Sequence, residues 1–405
     1  MLDGVFSLPK ECEKDFEYKI TLKKAVDSVI KEYEKLINDV NKEKVQLVIN
    51  EINCVHDMIV SIFEKYFNGD ILSSVNAMKV LIDKYEKILK VSIRKSFAFN
   101  FKLPNFNKGL DEIYLFKGRV SNDPYYEYPI NEMHHIPLDK RELTTTQRYS
   151  IPGVPCLYLA YNSYIAWHEM KNPSLNTFCI SAFELLDLDR KILDLTYSYR
   201  QIFEYVKERY INDSRTSIFV NIEGVNIEIP AKEAFPYDSQ YGLDSSDDNS
   251  FLLLASLWPL LVSVSIHCKD KNRTFKSEYV ISQLLMYCLG DCIGIAYRSA
   301  ALGDHHFLPG INLAIPIIKY KNDEKFGDVK DYIKLTDSIN VQYFNDFMYR
   351  TYKSPKDSDI KASFNKLFLN IANSNTYDLR HCYKNSLFYM LDEYLVNQEF
   401  NNIEE

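Results

Sequence analysis

The chain has 405 residues, 46 % of them hydrophobic and 26 % charged, with a net charge of −8 and a mean hydropathy of −0.26. An acidic balance of this size excludes the broad basic surface that phosphate-backbone binding needs, so no nucleic-acid partner is expected. The length suits two or three domains.

The first segment, MLDGVFSLPKECEKD, has no apolar core of the kind a signal peptide carries, and the eight irregularly spaced cysteines read as free thiols in a reducing compartment. Both point to a cytoplasmic protein. Residues 20–96 predict three helices, ITLKKAVDSVIKEYEKLINDV, KVQLVINEINCVHDMIVSIFEKYF and ILSSVNAMKVLIDKYEKILKVSI, because apolar residues recur at helical spacing without internal Gly or Pro. Residues 1–105 therefore form an expected helical domain, with His56 as a surface or core histidine rather than a ligand. FAFNFKLPNFNKGLD (97–111) is a linker.

Beyond the linker the texture changes. IYLFKGRV (113–120) alternates like a strand, PCLYLAY (155–161) is a short apolar strand, and NSYIAWHEM (162–170) starts a helix capped by Asn162 or Ser163. SLNTFCISAFEL and KILDLTY are further strands, and RQIFEYVKERYI is helical. PYDSQYGLDSSDDNS (236–250) is an acidic loop, a connector with a possible second use as a lid. FLLLASLWPLLVSVSI (251–266) is uncharged, but three serines and a proline make it a buried helix and strand rather than a membrane span. SEYVISQLLMYCLG is a helix and GIAYRSA (294–300) a strand. Cys288 and Cys292, with His305 and His306 nearby, lack a second ligand pair at zinc spacing, so no metal is expected. From about residue 326 helices return.

Three residue types surround the stiff turn IPGVP: Arg148 before it, Tyr158 after it, and Glu169 eleven residues further on. The arginine offers a planar fork for phosphate or carboxylate. The tyrosine can stack on a ring or hydrogen-bond a ribose. The glutamate can stabilise a cation or orient a nucleophile. An Arg–Glu pair beside a core tyrosine would equally account for the three.

Four stretches in sequence resemble the RES domain family: IYLFKGRV, HHIPLDKRELTTTQRYSIPGVPCLYLAYNSYIAWHE, SLWPLLVSVSIHCKDKNRTFKSEYVISQLLMY and GIAYRSA, spanning roughly residues 113–300. The resemblance implies an α+β chain. Its core (106–325) would be ADP-ribosyltransferase-like, two small sheets gripping NAD, flanked by the N-terminal helical domain and a mainly helical C-terminal extension (326–405). It also implies an NAD-degrading toxin that cleaves the nicotinamide–ribose bond, with inorganic phosphate as co-substrate in some members and an antitoxin as restraint.

Matched residue by residue, Arg148, Tyr158, Glu169 and Ser299 fall on the family's functional positions. Arg119 and Lys117 fall on its opening strand, where Arg-x-Arg is usual and Lys117 departs from it. The implied roles are Glu169 as stabiliser of the ribosyl cation, Arg148 and Arg119 as phosphate holders, and Tyr158 packed on nicotinamide or ribose. Ser299 would hydrogen-bond a hydroxyl or phosphate oxygen. Tyr149 lines the cleft or the core; Glu278, Tyr279 and Gln283 match the long form of the family but also suit capping. Asp304-His305-His306 reads as a polar turn and Trp258-Pro259 as a core landmark. The helical ends suit regulation or dimerisation, and no membrane partner is expected.

Overall fold

The structure, a computed structural model, describes residues 2–8, 10–12, 14, 17–100, 112–212, 217–222, 225–230, 248–268, 270, 273–299, 310–318, 324–351, 383 and 386–403. The 101–111 part of the linker, most of the acidic loop, Asp304-His305-His306 and the 352–382 part of the helical C-terminal extension lie outside the described residues. The chain is mixed α and β and divides into two compact units, each discontinuous in sequence: Met1–Phe99 with Gln147–Tyr149 and Lys191–Ile295, and Asn100–Thr146 with Ser150–Arg190 and Ala296–Glu405. These units do not follow the linear division into 1–105, 106–325 and 326–405.

The first unit is largely helical. Tyr18–Glu34 buries Leu22, Ala25, Val26, Val29 and Tyr33 along one stripe, as the 3.6-residue period dictates. Lys42–Phe67 ends at Asn68, and Gly69 follows at φ +81, in the left-handed region that glycine enters without steric cost. Asp70 then caps Ile71–Lys84 by accepting from the Ser73 N–H. The third predicted helix stops early: Glu86–Leu89 is a separate turn, and Lys90–Ser92 is a strand paired antiparallel with Lys191–Leu195. Three residues are too few to show alternation, so that strand was hidden in the helical reading.

The 251–266 run folds as two helices, Asp248–Ser256 and Trp258–Ser265, with Pro259 in the first turn of the second. The expected strand shrinks to His267–Cys268, paired with Glu11–Cys12. Trp258 is the core landmark the sequence suggested: it is fully buried, and its Nε1–H donates to the Ala25 carbonyl. Among the described residues, no helix is long and apolar enough to cross a membrane.

The second unit is built on strands numbered here as β1 (Ile113–Val120), β2 (Cys156–Ala160), β3 (Phe178–Leu185), β4 (Ile295–Arg298), β5 (Ile311–Pro316), β6 (Ile333–Leu335) and β7 (Ile339–Asn340). Their order is β6-β3-β1-β2-β5-β4, with β7 also on β3. Within the mainly helical extension expected from 326 onward, a 3-10 turn (Gly327–Asp331) leads into two short strands woven into the sheet. Helices Val341–Thr351 and Leu387–Val396 follow.

The β1–β2 ladder is a single pair, Phe116↔Ala160. On its outer side β1 stays paired to β3 through Val120↔Phe178, and β2 stays paired to β5 through Pro316↔Cys156. The sheet therefore forks past Phe116 and Ala160. One limb carries Lys117–Val120, and the other carries Cys156–Leu159.

Candidate functional site

Strand β5 places the candidate residues of the second unit. Its register pairs Ala314 with Tyr158 and Asn312 with Ala160. Residues two apart on a strand face the same side, so Tyr158 and Asn312 share one face. The Asn312 side chain, 3 % exposed, donates from Nδ2 to Glu169 Oε1 at 2.6 Å. At the other end, the Ser299 N–H donates to Gly310 O, the residue just before β5. Tyr158, Glu169 and Ser299 are thereby tied in turn to residues 314, 312 and 310, the first by strand pairing, the second by a side-chain bond and the third by a backbone bond.

Glu169 is the last residue of the helix Ser163–Glu169, and its side chain is exposed. The helix starts as the sequence predicts: Asn162 Oδ1 accepts from the Ile165 N–H at 2.8 Å. It ends with Met170 N–H on Ala166 O, Lys171 N–H on His168 O and Asn172 N–H on Trp167 O. The last two bonds are the paired closure of a Schellman motif, whose left-handed position is usually glycine. Here Lys171 occupies it at φ 65, followed by Asn172 at φ 55. A carboxylate at this end sits beside carbonyls that carry the negative pole of the helix.

The Tyr158 phenol is held protonated, first by burial, then by the neighbouring Cys156 and Tyr297; hydrogen bonding to Ser150 works the other way. Ser299 is buried. On the other limb, Lys117 Nζ donates to the Met133 and His134 carbonyls, at 2.9 Å for the first. Burial, and then Arg119, pushes its ammonium down to about 7; the two carbonyl acceptors act in the opposite sense, because they favour the charged form. Arg119 donates to the Glu132 carbonyl and carboxylate and lies over the Tyr128 ring, 4.3 Å from its centroid. Both cations thus tie the 132–134 segment to β1.

Arg148 and Tyr149 belong to the first unit. Arg148 Nη1 donates to Val264 O at 2.8 Å and Glu278 O at 3.2 Å, and the guanidinium lies over the Tyr279 ring. Val264 is in the last turn of its helix, so Arg148 satisfies a carbonyl that has no intrahelical donor. Tyr149 is buried, which raises its phenol pKa. Glu278 pairs with Arg273 at 2.8 Å, and Gln283 donates to Gln147 O. His56 is buried, with Nδ1 2.9 Å from Asp57 Oδ1. No group of three or more His, Cys, Asp or Glu side chains is arranged to hold a metal among the described residues.

The residue that sequence reasoning missed is Asn312. Its strand, INLAIP, is a six-residue apolar run ending in proline, and the single polar side chain inside it is the signal that was available.

No family model matches the chain, and no solved structure matches it. It is similar to a Bacillus subtilis (strain 168) protein named "Putative toxin YopC", at 27 % identity over 252 residues, which cover 60 % of this chain and 48 % of that protein. The chain thus spans about half the length of the relative it matches.

Proposed function

We propose that this chain is a toxin-like enzyme that degrades NAD, cleaving the nicotinamide–ribose bond as an NAD phosphorylase. The observation that carries the reading is the Glu169 carboxylate, exposed at a helix end and oriented by buried Asn312, with Tyr158 on the strand paired to that of Asn312 and the Ser299 amide bonded to Gly310 just before it. The likeness to a protein named as a toxin and the RES resemblance support it. The forked sheet suits the two-sheet, ADP-ribosyltransferase-like grip that the resemblance implies.

In the reaction the bond from ribose C1″ to the pyridinium nitrogen breaks, and its electron pair neutralises the nicotinamide, which leaves uncharged. Positive charge builds on the ribosyl carbon. A fixed carboxylate stabilises that charge without reorganising during the step. An oxygen of inorganic phosphate then bonds to C1″, giving ADP-ribose-1″-phosphate. Glu169 holds the ribosyl cation, Tyr158 packs on the ribose or nicotinamide, and Ser299 bonds a hydroxyl or phosphate oxygen. Arg119 and Lys117 supply cations for the pyrophosphate or the incoming phosphate, once they exchange carbonyl partners for phosphate oxygens; the resemblance implies the same role for Arg148. Tyr149 stands beside Arg148 as a lining residue. No metal takes part. The protein acts in the cytoplasm, where NAD and phosphate are plentiful, under restraint by an antitoxin or by its own residues 1–105.

Nucleotide products formed from NAD with and without phosphate test this reading. Phosphate-dependent ADP-ribose-1″-phosphate with nicotinamide, lost in Glu169→Ala, is the expected result. Free ADP-ribose regardless of phosphate would instead make the chain a glycohydrolase. ADP-ribose on protein side chains would make it an ADP-ribosyltransferase. NAD binding without turnover would leave a regulatory protein.

A further inference from the structure

The C-terminal helix Leu387–Val396 grips the helix that carries Glu169, and it does so at the opposite end from the glutamate. Asp392 is completely buried. Its Oδ1 accepts from the Ser163 N–H at 3.0 Å, the first amide of the Ser163–Glu169 helix. Its Oδ2 accepts from the Tyr383 hydroxyl. Ser163 Oγ in turn donates to the Phe388 carbonyl at 3.2 Å. The Phe388 ring packs on Tyr164 and Trp167, with centroids at 5.4 and 5.5 Å. Asn162 serves the Ile165 amide, so the two side chains between them satisfy two of the amides that a helix start leaves open.

We propose that Asp392 is a positioning residue for Glu169: by accepting from the Ser163 amide it fixes the start of a seven-residue helix, and therefore the place of the carboxylate at its end. A helix this short has under two turns in which to absorb a shift, so displacement at Ser163 is passed on to Glu169. Trp167 carries the same restraint along the helix, held by Phe388 on its ring and by the Pro173 carbonyl on its Nε1–H. Tyr158, on β2, and Ser299, just past β4, make none of these contacts. Loss of Asp392 should therefore affect the chemical step more than substrate capture. The catalytic part of this inference rests on the NAD-cleaving reading above; the mechanical part does not.

The test uses the full chain, wild type and Asp392→Ala, Asp392→Asn and Tyr383→Phe, with two readouts: kcat and KM for nicotinamide release, and hydrogen exchange of amides 163–169 against those of the Lys42–Phe67 helix. Asp392→Ala should lower kcat about 10–100-fold with KM within about threefold, as expected when a catalytic group is displaced by a fraction of an ångström to 1 Å. It should speed exchange in 163–169 alone. Asp392→Asn keeps an acceptor for the Ser163 amide and should restore kcat to within about threefold of wild type. Unchanged kcat in Asp392→Ala would overturn the proposal, as would exchange that rises equally in both helices. Should Asp392→Ala fail to fold, Tyr383→Phe decides: it removes one hydroxyl and should still speed exchange in 163–169, and unaltered exchange there would overturn the grip. A wild-type protein without NAD turnover would end the enzymatic reading, while the exchange arm would still decide what Asp392 holds.

Discussion

Replacing Asn312 with alanine separates stability from activity, and the size of each effect can be worked out from the contacts. The substitution removes the 2.6 Å bond from Nδ2 to Glu169. A hydrogen bond to a charged group contributes about 1.5–3 kcal/mol, and the lower end applies because the carboxylate faces solvent. The same substitution removes Asn312 Oδ1, which is buried and finds no partner among the described residues. An unsatisfied buried acceptor costs about 1–3 kcal/mol, so its removal offsets the lost bond. Net stability should change by no more than about 1 kcal/mol. Activity has no such offset. A carboxylate free to swing by about 1 Å loses on the order of 100-fold in rate, about 2.7 kcal/mol of transition-state stabilisation. Urea unfolding of wild type, Asn312→Ala, Glu169→Ala and the double variant, with NAD initial rates for the first two, measures both quantities. A stability coupling of about 1–2 kcal/mol between the two positions is expected. A coupling near zero, or an Asn312→Ala enzyme that unfolds readily yet keeps its kcat, would refute the reasoning.

Lys171→Gly should stabilise the protein by about 0.5–1 kcal/mol in urea unfolding, because it relieves a left-handed lysine while leaving the helix closure intact; no gain would mean the strain is absorbed elsewhere. Gly118→Ala should destabilise by about 1–3 kcal/mol, since its new Cβ would lie 2.5 Å from Cζ of the buried Phe178 ring; a neutral result in thermal melts would show that the ring can move. Burial pushes the Asp392 carboxyl up to about 7, against the bonds from Ser163 and Tyr383 and beside Tyr161, Tyr389 and Glu393. A raised carboxyl pKa gives stability that is full below the unfolded value of ~4 and is lost as pH rises through about 7. Asp392→Asn should remove this slope, so its melting temperature relative to wild type should climb between pH 4 and 7; parallel curves would refute the assignment. A 106–405 fragment should be insoluble or lack a cooperative melt, because residues 191–295 pack with 1–99 through Trp258 on Ala25, Tyr18 on Ser263 and Lys191–Leu195 on Lys90–Ser92. A folded fragment would refute that dependence and open the regulatory role of the N-terminal helices to direct assay.

Long periodic segments were legible in the sequence, and short ones were not. The helices at Tyr18–Glu34 and Lys42–Phe67 show their buried stripe over four or more turns, and Ile113–Val120 is an unbroken eight-residue strand that opens on the alternation Ile113, Tyr114, Leu115. Lys90–Ser92, Ile333–Leu335 and Ile339–Asn340 are too short for either period to register, and only their partners in the sheet make them strands. The turn from Arg148 to Glu169 was readable because proline, glycine and a capping asparagine mark its corners. What the turn could not show is how its residues are shared out. Arg148 packs with carbonyls of the first unit, while Tyr158 and Glu169 belong to the second. Discontinuous units come from pairing between distant segments, and nothing local encodes that. Asn312, 143 residues beyond Glu169, was missed for the same reason.

The chain contains its own control for the cost of the Glu169 helix end. Lys42–Phe67 closes with Gly69 N–H on Tyr66 O and Asp70 N–H on Lys65 O, the same pair of bonds that Lys171 and Asn172 make to His168 and Trp167. The first closure puts glycine in the left-handed position, lysine in the last turn and an aspartate beyond it, where that aspartate caps the next helix. Every choice there lowers the energy. The second puts lysine in the left-handed position and a glutamate at the negative pole of the helix, and the buried Asn312 amide oxygen behind that glutamate finds no partner among the described residues. Each choice costs something on the order of 0.3 to 3 kcal/mol, and all three fall within reach of one carboxylate. A helix end selected for stability alone would resemble the first. The second is the pattern expected where the position of a carboxylate matters more than local stability, and under the function proposed above that carboxylate is the one set against the ribosyl cation.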